Sequence, residues 1–323
     1  LTPRSVALAL VLFPLTSAAV AQDTAAVSPP VQDWSTTIET VVVTAQKPGP
    51  ALWHIAANGS DVWILGTVSP LPEGLAWNTD ELAKIIDGAN IVYMPPSLTA
   101  GLFEVSWFLL TGLGSLKQPD GQTLEASLPA HLRARFVATR IKLGKDADTY
   151  ADYLPPLAAQ NVENDFREHA QLDSRTVEEQ ISKIARAKHV KTQALATYDL
   201  MPIIHEVPNL SAQQQQECLV DALDDIDVQS VHANDAARAW AVGNLAGVKA
   251  HYSEIKLYEC FRHTKSFAAD WEHVIDDGLV AVQSALAKPG KSLIVIGIGP
   301  LLRKNGLLDR LQERGIAVEA PPG

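Results

Sequence analysis

Two apolar runs that end in glycine, "VWILGTVSP" (62–70) and "SLIVIGIGP" (292–300), stand near opposite ends of the chain. Both read as strands, the second apolar throughout, and each places Gly at its exit with Ser69 or Pro300 projecting from the turn. Neither run can bury itself alone, so the sheet has to draw on both ends of the chain. From Thr99 to about Lys288, apolar residues recur at helical spacing in "HLRARFVATRIKLG", "VEEQISKIARAKH" and "AARAWAVGNLAGVKAHYSEIKLY". The expected fold is therefore α/β: a mixed central sheet built from both ends of the chain, with a large helical segment between its halves.

Local signals fill in this outline. "LWHIAANGSDVWILGTV" reads as two strands joined by Asn58-Gly59, residues that tolerate the positive φ of a tight hairpin. Asn78 or Thr79 can cap the helix "TDELAKIIDGA", with Asp80 and Glu81 complementing the dipole of its first turn. "NIVYMPP" is a short buried strand stopped by Pro95-Pro96. "VKTQALAT" (190–197) is one strand within the helical stretch, and "IAVEAP" is a last strand.

Residues 1–21 have the order of a secretory signal peptide: Arg4, an apolar run from Val6 to Leu15, then Ala19-Val20-Ala21 before Gln22. The chain is accordingly expected in the periplasm or secreted. Residues 22–50, rich in Ala, Ser, Thr and Pro, are expected to form an extended linker, and residues 51–323 the folded domain. Within the linker, "ETVVVTAQK" (Glu39 to Lys47) resembles the TonB-box stretch of TonB-dependent receptors, which would pair by strand addition. An ordered linker lying on its own domain is the simpler expectation for it. "LFEVSWFLLTGLG" (102–114) is strongly apolar but short, and it carries Glu104. A buried helix is expected there, and no transmembrane span after signal cleavage. The net charge of −11, with no run of Lys or Arg, excludes a nucleic-acid-tracking surface.

The chemistry-bearing residues are sparse. Cys218 and Cys260 would close a loop worth roughly 4 kcal/mol if bonded in an oxidising compartment; two free buried thiols are the alternative. "GIGP" (297–300) lacks the last glycine of a dinucleotide fingerprint, and there is no P-loop and no nucleophile elbow. Nine histidines are scattered without an HExxH pattern. His54 alternates outward from Trp53 and Ile55, and His251 and His263 lie among charged neighbours, so all three read as surface residues.

The order of "LWHIAANGSDVWILGTVSPLP", "ANIVYMPP", "VKTQALAT", "AWAVGNL" and "SLIVIGIGPLLRKNGLLDRLQERGIAVE" resembles the TraB/GumN family, relatives of the Tiki proteins, from about Leu52 to Pro321. The resemblance implies a metal-dependent hydrolase or protease fold, with two Gly-x-x-His motifs and glutamates at the ends of core strands. On this chain the first motif falls on Gly66, Thr67, Val68 and Ser69, with serine in place of histidine. The second falls on Gly297, Ile298, Gly299 and Pro300, with proline in place of histidine. The strand that should end in Glu ends at Met94-Pro95, and the Gly-Leu-Glu-Thr strand reads Ala194-Leu195-Ala196-Thr197.

The turns are kept and the ligands are lost. The expectation is a pseudoenzyme that binds a peptide, protein or glycan in the former metal cleft, without cofactor or stoichiometric transition metal. The alternative is an active hydrolase using Ser69 with a histidine brought from the helical region, although no spacing points to His205, His251 or His263 as that partner.

Overall fold

The computed structural model describes residues 49–321. The expected signal peptide, most of the linker, and the 39–47 stretch with its TonB-type contact lie outside the described residues. Pro50, at the end of the expected linker, is already buried in the domain.

Five strands form one mixed sheet, in the order Leu52–Ala57, Ser60–Thr67, Gly290–Gly297, Ala89–Met94 and Thr192–Ala194. The first two make the antiparallel hairpin, turned at Asn58 (φ 54°) and Gly59 (φ 77°). The other neighbours are parallel. Residues near the two ends of the chain therefore meet at the sheet's centre, with Ser60 to Thr67 in register against Gly290 to Gly297. Leu293, Ile294, Val295 and Ile296 are fully buried, as a run apolar on both faces requires. The helix Asp80–Ile86 covers the sheet through Leu82, Ile85 and Ile86. Asn78 satisfies its first turn by accepting from the Asp80 N–H at 2.9 Å, whereas the Thr79 side chain makes no such bond. The helix Lys265–Leu286 packs its buried Ile275, Leu279 and Val282 against the same strands.

A second core lies beyond the sheet, built from Leu132, Phe136, Tyr150, Val162, Phe166, Leu219 and Leu223. One long helix, Ala212–Ala241, ties the two together: Cys218 to Ile226 pack in the second core and Ala236 to Trp240 in the first. A capping box between Ser211 and Gln214 starts it. Cys218 is bonded to Cys260, with their Cα atoms 4.8 Å apart and both residues fully buried.

Four local expectations need correction. The 190–197 stretch is two strands: Thr192–Ala194 joins the main sheet, while Thr197–Asp199 pairs in parallel with Ser97–Thr99. "IAVEAP" contributes a single bridge, Glu319 to His54, rather than a strand. His54 is half-buried: it stacks on Trp63 and reaches Asp61 at 2.9 Å and Glu319 at 3.0 Å. Finally, the helix Leu102–Thr111 is not buried. Phe108 is buried in a small cluster with Leu116, Met201 and Val207, and Val105 packs against it half-buried, while Leu102 (89% exposed), Phe103 (79%) and Leu110 (81%) face outward. A helix apolar all round exceeds what so small a core can cover.

Candidate functional site

The parallel strands bring the four family positions to one edge. Thr67 lies opposite Gly297, Tyr93 opposite Ile294 and Met94 opposite Ala194, so the residues after each strand emerge side by side. The carboxyl edge of parallel strands is where open α/β sheets hold ligands. The two glycine turns are fixed by close packing. A methyl on Gly66 would overlap Ile298 Cδ1 and lie 2.8 Å from Leu301 Cδ2. The Gly66 carbonyl accepts from Trp240 Nε1 at 2.7 Å, and buried Thr67 donates to the Ile296 carbonyl at 3.4 Å. The first turn is thus tightly held.

The side chains at the turns do not fit a divalent cation. Pro95, Ala196 and Pro300 offer no donor atom, and Ser69 Oγ donates to the Ser174 carbonyl at 3.4 Å. A catalytic zinc needs about three imidazole or carboxylate ligands with an open water position. Thr197 is exposed on its own short strand, away from the sheet interior. The chain's own segment closes over the second turn: a Cβ on Gly299 would collide with the Glu254 carboxylate. Burial pushes the Glu254 carboxyl above its ordinary range, opposed by Arg303 at 3.8 Å. Its Oε1 has no hydrogen-bond partner among the described residues.

Two histidines reach the first turn, against expectation. His232, from the long helix, and His251, from the end of the helix Leu245–His251, line a narrow space with Ser69, Pro70, Gln229 and Ser253. Their Nδ1 atoms are 3.3 Å apart. His232 is buried, and its Nε2 and Gln229 Oε1 lack partners among the described residues. The space measures about 20 Å³, roughly what one water needs. An extended ligand has no room in it. His263 stays near the surface beside Glu217 at 3.4 Å, and His205 is exposed.

Room exists elsewhere. The ribbon of Ser97–Thr99 and Thr197–Asp199 continues from Pro95 and Ala196 into two helices, Leu102–Thr111 and Leu200–Glu206. Between them lies a groove of about 340 Å³ lined by Phe103, Trp107, Phe108, Met201, Pro202 and His205, among others.

The sequence model of the TraB/PrgY/gumN family matches residues 51–320. The chain belongs to the TraB/PrgY/gumN family. No curated protein matches it, and no solved structure does. Within this TraB/PrgY/gumN chain, the residues that sequence reasoning missed are His232, His251, Gln229 and Glu254. Their separations along the chain follow no motif. His232 and His251 meet because the turn Val242 to Asn244 folds one helix back along another, with Gly243 at φ 72°. A signal was present in the Gly-Asn pair that stops one helix and caps the next, since Asn244 accepts from the Gly247 N–H at 2.9 Å. It predicts a helical hairpin, and says nothing of which faces touch.

Proposed function

We propose that this chain is an exported, non-catalytic member of its family that binds an apolar segment of a partner polypeptide. The observation that carries this reading is the groove of about 340 Å³ beneath the helix Leu102–Thr111, whose Phe103 and Trp107 are both wall and exposed surface. Contiguous exposed apolar surface on a folded domain marks interaction sites. The donor-poor family positions and the water-sized space beside Ser69 argue that binding has moved from the former cleft to this groove. Export is supported by the signal-peptide order of residues 1–21 and by the Cys218–Cys260 bond, which suits an oxidising compartment.

A peptide array probed with residues 22–323 tests the reading. Capture of apolar peptides, lost in the double variant Phe103→Asp, Trp107→Asp with unchanged melting temperature, is the expected result. Binding to glycans or lipid vesicles in place of peptides, or equal capture by the variant, overturns it.

A second reading has one observation in its favour: His232 and His251 line the same space as Ser69, as a serine hydrolase would require. Ser69 Oγ–H, however, points to a carbonyl. Labelling of Ser69 by a fluorophosphonate, abolished in Ser69→Ala, would establish that reading over the first.

A further inference from the structure

We propose that the partner segment taken by the apolar groove is cationic, carrying Lys or Arg beside its apolar anchors. This rests on the groove being the binding site and goes further by naming the partner's charge. The groove lies between the helices Leu102–Thr111 and Leu200–Glu206. Its lining holds two carboxylates, Glu104 and Asp199, one imidazole, His205, and no Lys or Arg. His205 stands edge-on to Phe108, with ring centroids 5.5 Å apart.

Neither carboxylate is neutralised from within the domain. Several acids elsewhere on the surface meet bases, as Glu81 meets Lys84, Asp87 meets Lys188 and Glu259 meets Arg262. Glu104 and Asp199 are both exposed, and among the described residues neither is paired with Lys or Arg. One oxygen of Asp199 accepts from the Met201 N–H at 2.9 Å and caps the helix Leu200–Glu206. Burial raises the nearby Asp270 carboxyl, His273 lowers it, and the charges of Asp199 and Asp277 raise it further. Negative charge therefore gathers at that end of the groove.

Positions three and four apart share a helix face, so Glu104 and Phe103 both neighbour Trp107. A cation over the Trp107 ring, which is 60% exposed, would meet the ring's negative face and the Glu104 carboxylate together. Lys and Arg suit such a rim because their stems lie along apolar surface while the charge stays in water. The same charges argue against a second copy of this chain as the occupant. Its exposed helix Leu102–Thr111 carries Glu104 and no Lys or Arg, so pairing two copies there sets carboxylates together. The net charge of −11 adds to that repulsion and draws a cationic partner in.

The test uses residues 22–323 and labelled peptides with the centre Leu-Phe-Ser-Leu-Leu-Phe, flanked on both sides by Lys, Gln or Glu. Fluorescence anisotropy should show the Lys peptide binding about tenfold tighter than the Glu peptide, with the Gln peptide between them. Raising the salt to about 1 M should narrow that spread, since exposed charges are screened. The double variant Glu104→Gln, Asp199→Asn should lose most of the spread. Asn keeps an oxygen that can accept from the Met201 N–H, so the helix cap survives. Glu81→Gln, at an acid outside the groove, should keep the spread. Equal binding of the three peptides, or an undiminished spread in the double variant, overturns the proposal and leaves the groove as a binding site. No binding of the Lys peptide also overturns it, and the groove reading falls with it only if the peptide array captures nothing. Sedimentation of the protein alone covers the other occupant: a dimer that Phe103→Asp, Trp107→Asp dissociates would assign the groove to a second copy and overturn the proposal.

Discussion

Reducing the Cys218–Cys260 bond should destabilise the domain by a calculable amount. The bond joins the long helix to the short helix Leu257–Phe261 across a sequence separation of 42 residues. Closing a loop of that length removes about 4 kcal/mol of conformational freedom from the unfolded chain in the chain-entropy model. Both sulfurs are fully buried among Leu210, Leu219 and Leu257, and reduction removes no side-chain heavy atom, requiring only that the two sulfurs separate to van der Waals distance. The packed core is therefore almost unchanged, and the difference reports the cross-link rather than a cavity. For a domain of this size each kcal/mol moves the melting temperature by about 2–4 °C, so the reduced form should melt roughly 8–16 °C lower. Calorimetry of oxidised and reduced protein, with thiols titrated under denaturing conditions, measures it. A fully reduced sample melting within about 2 °C of the oxidised one would refute the reasoning, because the unfolded state could not then be the one the cross-link constrains.

Other perturbations probe the site's frame. Gly66→Ala pushes a methyl into Ile298 and Leu301, and should cost about 1–3 kcal/mol in chemical denaturation; an unchanged midpoint would mean the turn is looser than its contacts indicate. Trp240→Phe removes the donor to the Gly66 carbonyl, at a cost of about 1–3 kcal/mol, checked by the same titration. Stability should also fall as pH rises from about 4 to about 7. Burial holds the Asp221 carboxyl up to about 6 and that of Asp225 up to about 7, against 3.8 in the unfolded chain. The stability these groups contribute is full near and below the unfolded value and is lost as pH rises through the folded values, because the unfolded chain ionises freely where the folded one resists. Melting curves across that range should show a shallower decline in Asp221→Asn; parallel declines would exclude Asp221 as a source.

Much of the architecture follows from local pattern. The apolar runs at 62–70 and 292–300 demand burial on both faces, and Asn58-Gly59 demands a hairpin, whatever the rest of the chain does. Family membership was legible for the same reason: glycine exits, turn prolines and strand order are local features. The absence of donors at Pro95, Ala196 and Pro300 is likewise a property of the residues themselves.

What only the tertiary structure decided concerns faces and neighbours. Periodicity shows that 102–111 is apolar, but whether it is buried depends on what lies beneath, and there the small core takes in Phe108 and part of Val105. His251 reads as a solvated helix residue until a tight turn sets its helix against the one that carries His232. Glu254 gives no sign in the sequence that it will rest on Gly299, 45 residues further along. Helical and strand periods are set by steric and hydrogen-bonding rules acting within a few residues. The placement of two imidazoles, or of a carboxylate on a glycine, depends on how whole elements pack, and no period of a single segment encodes that.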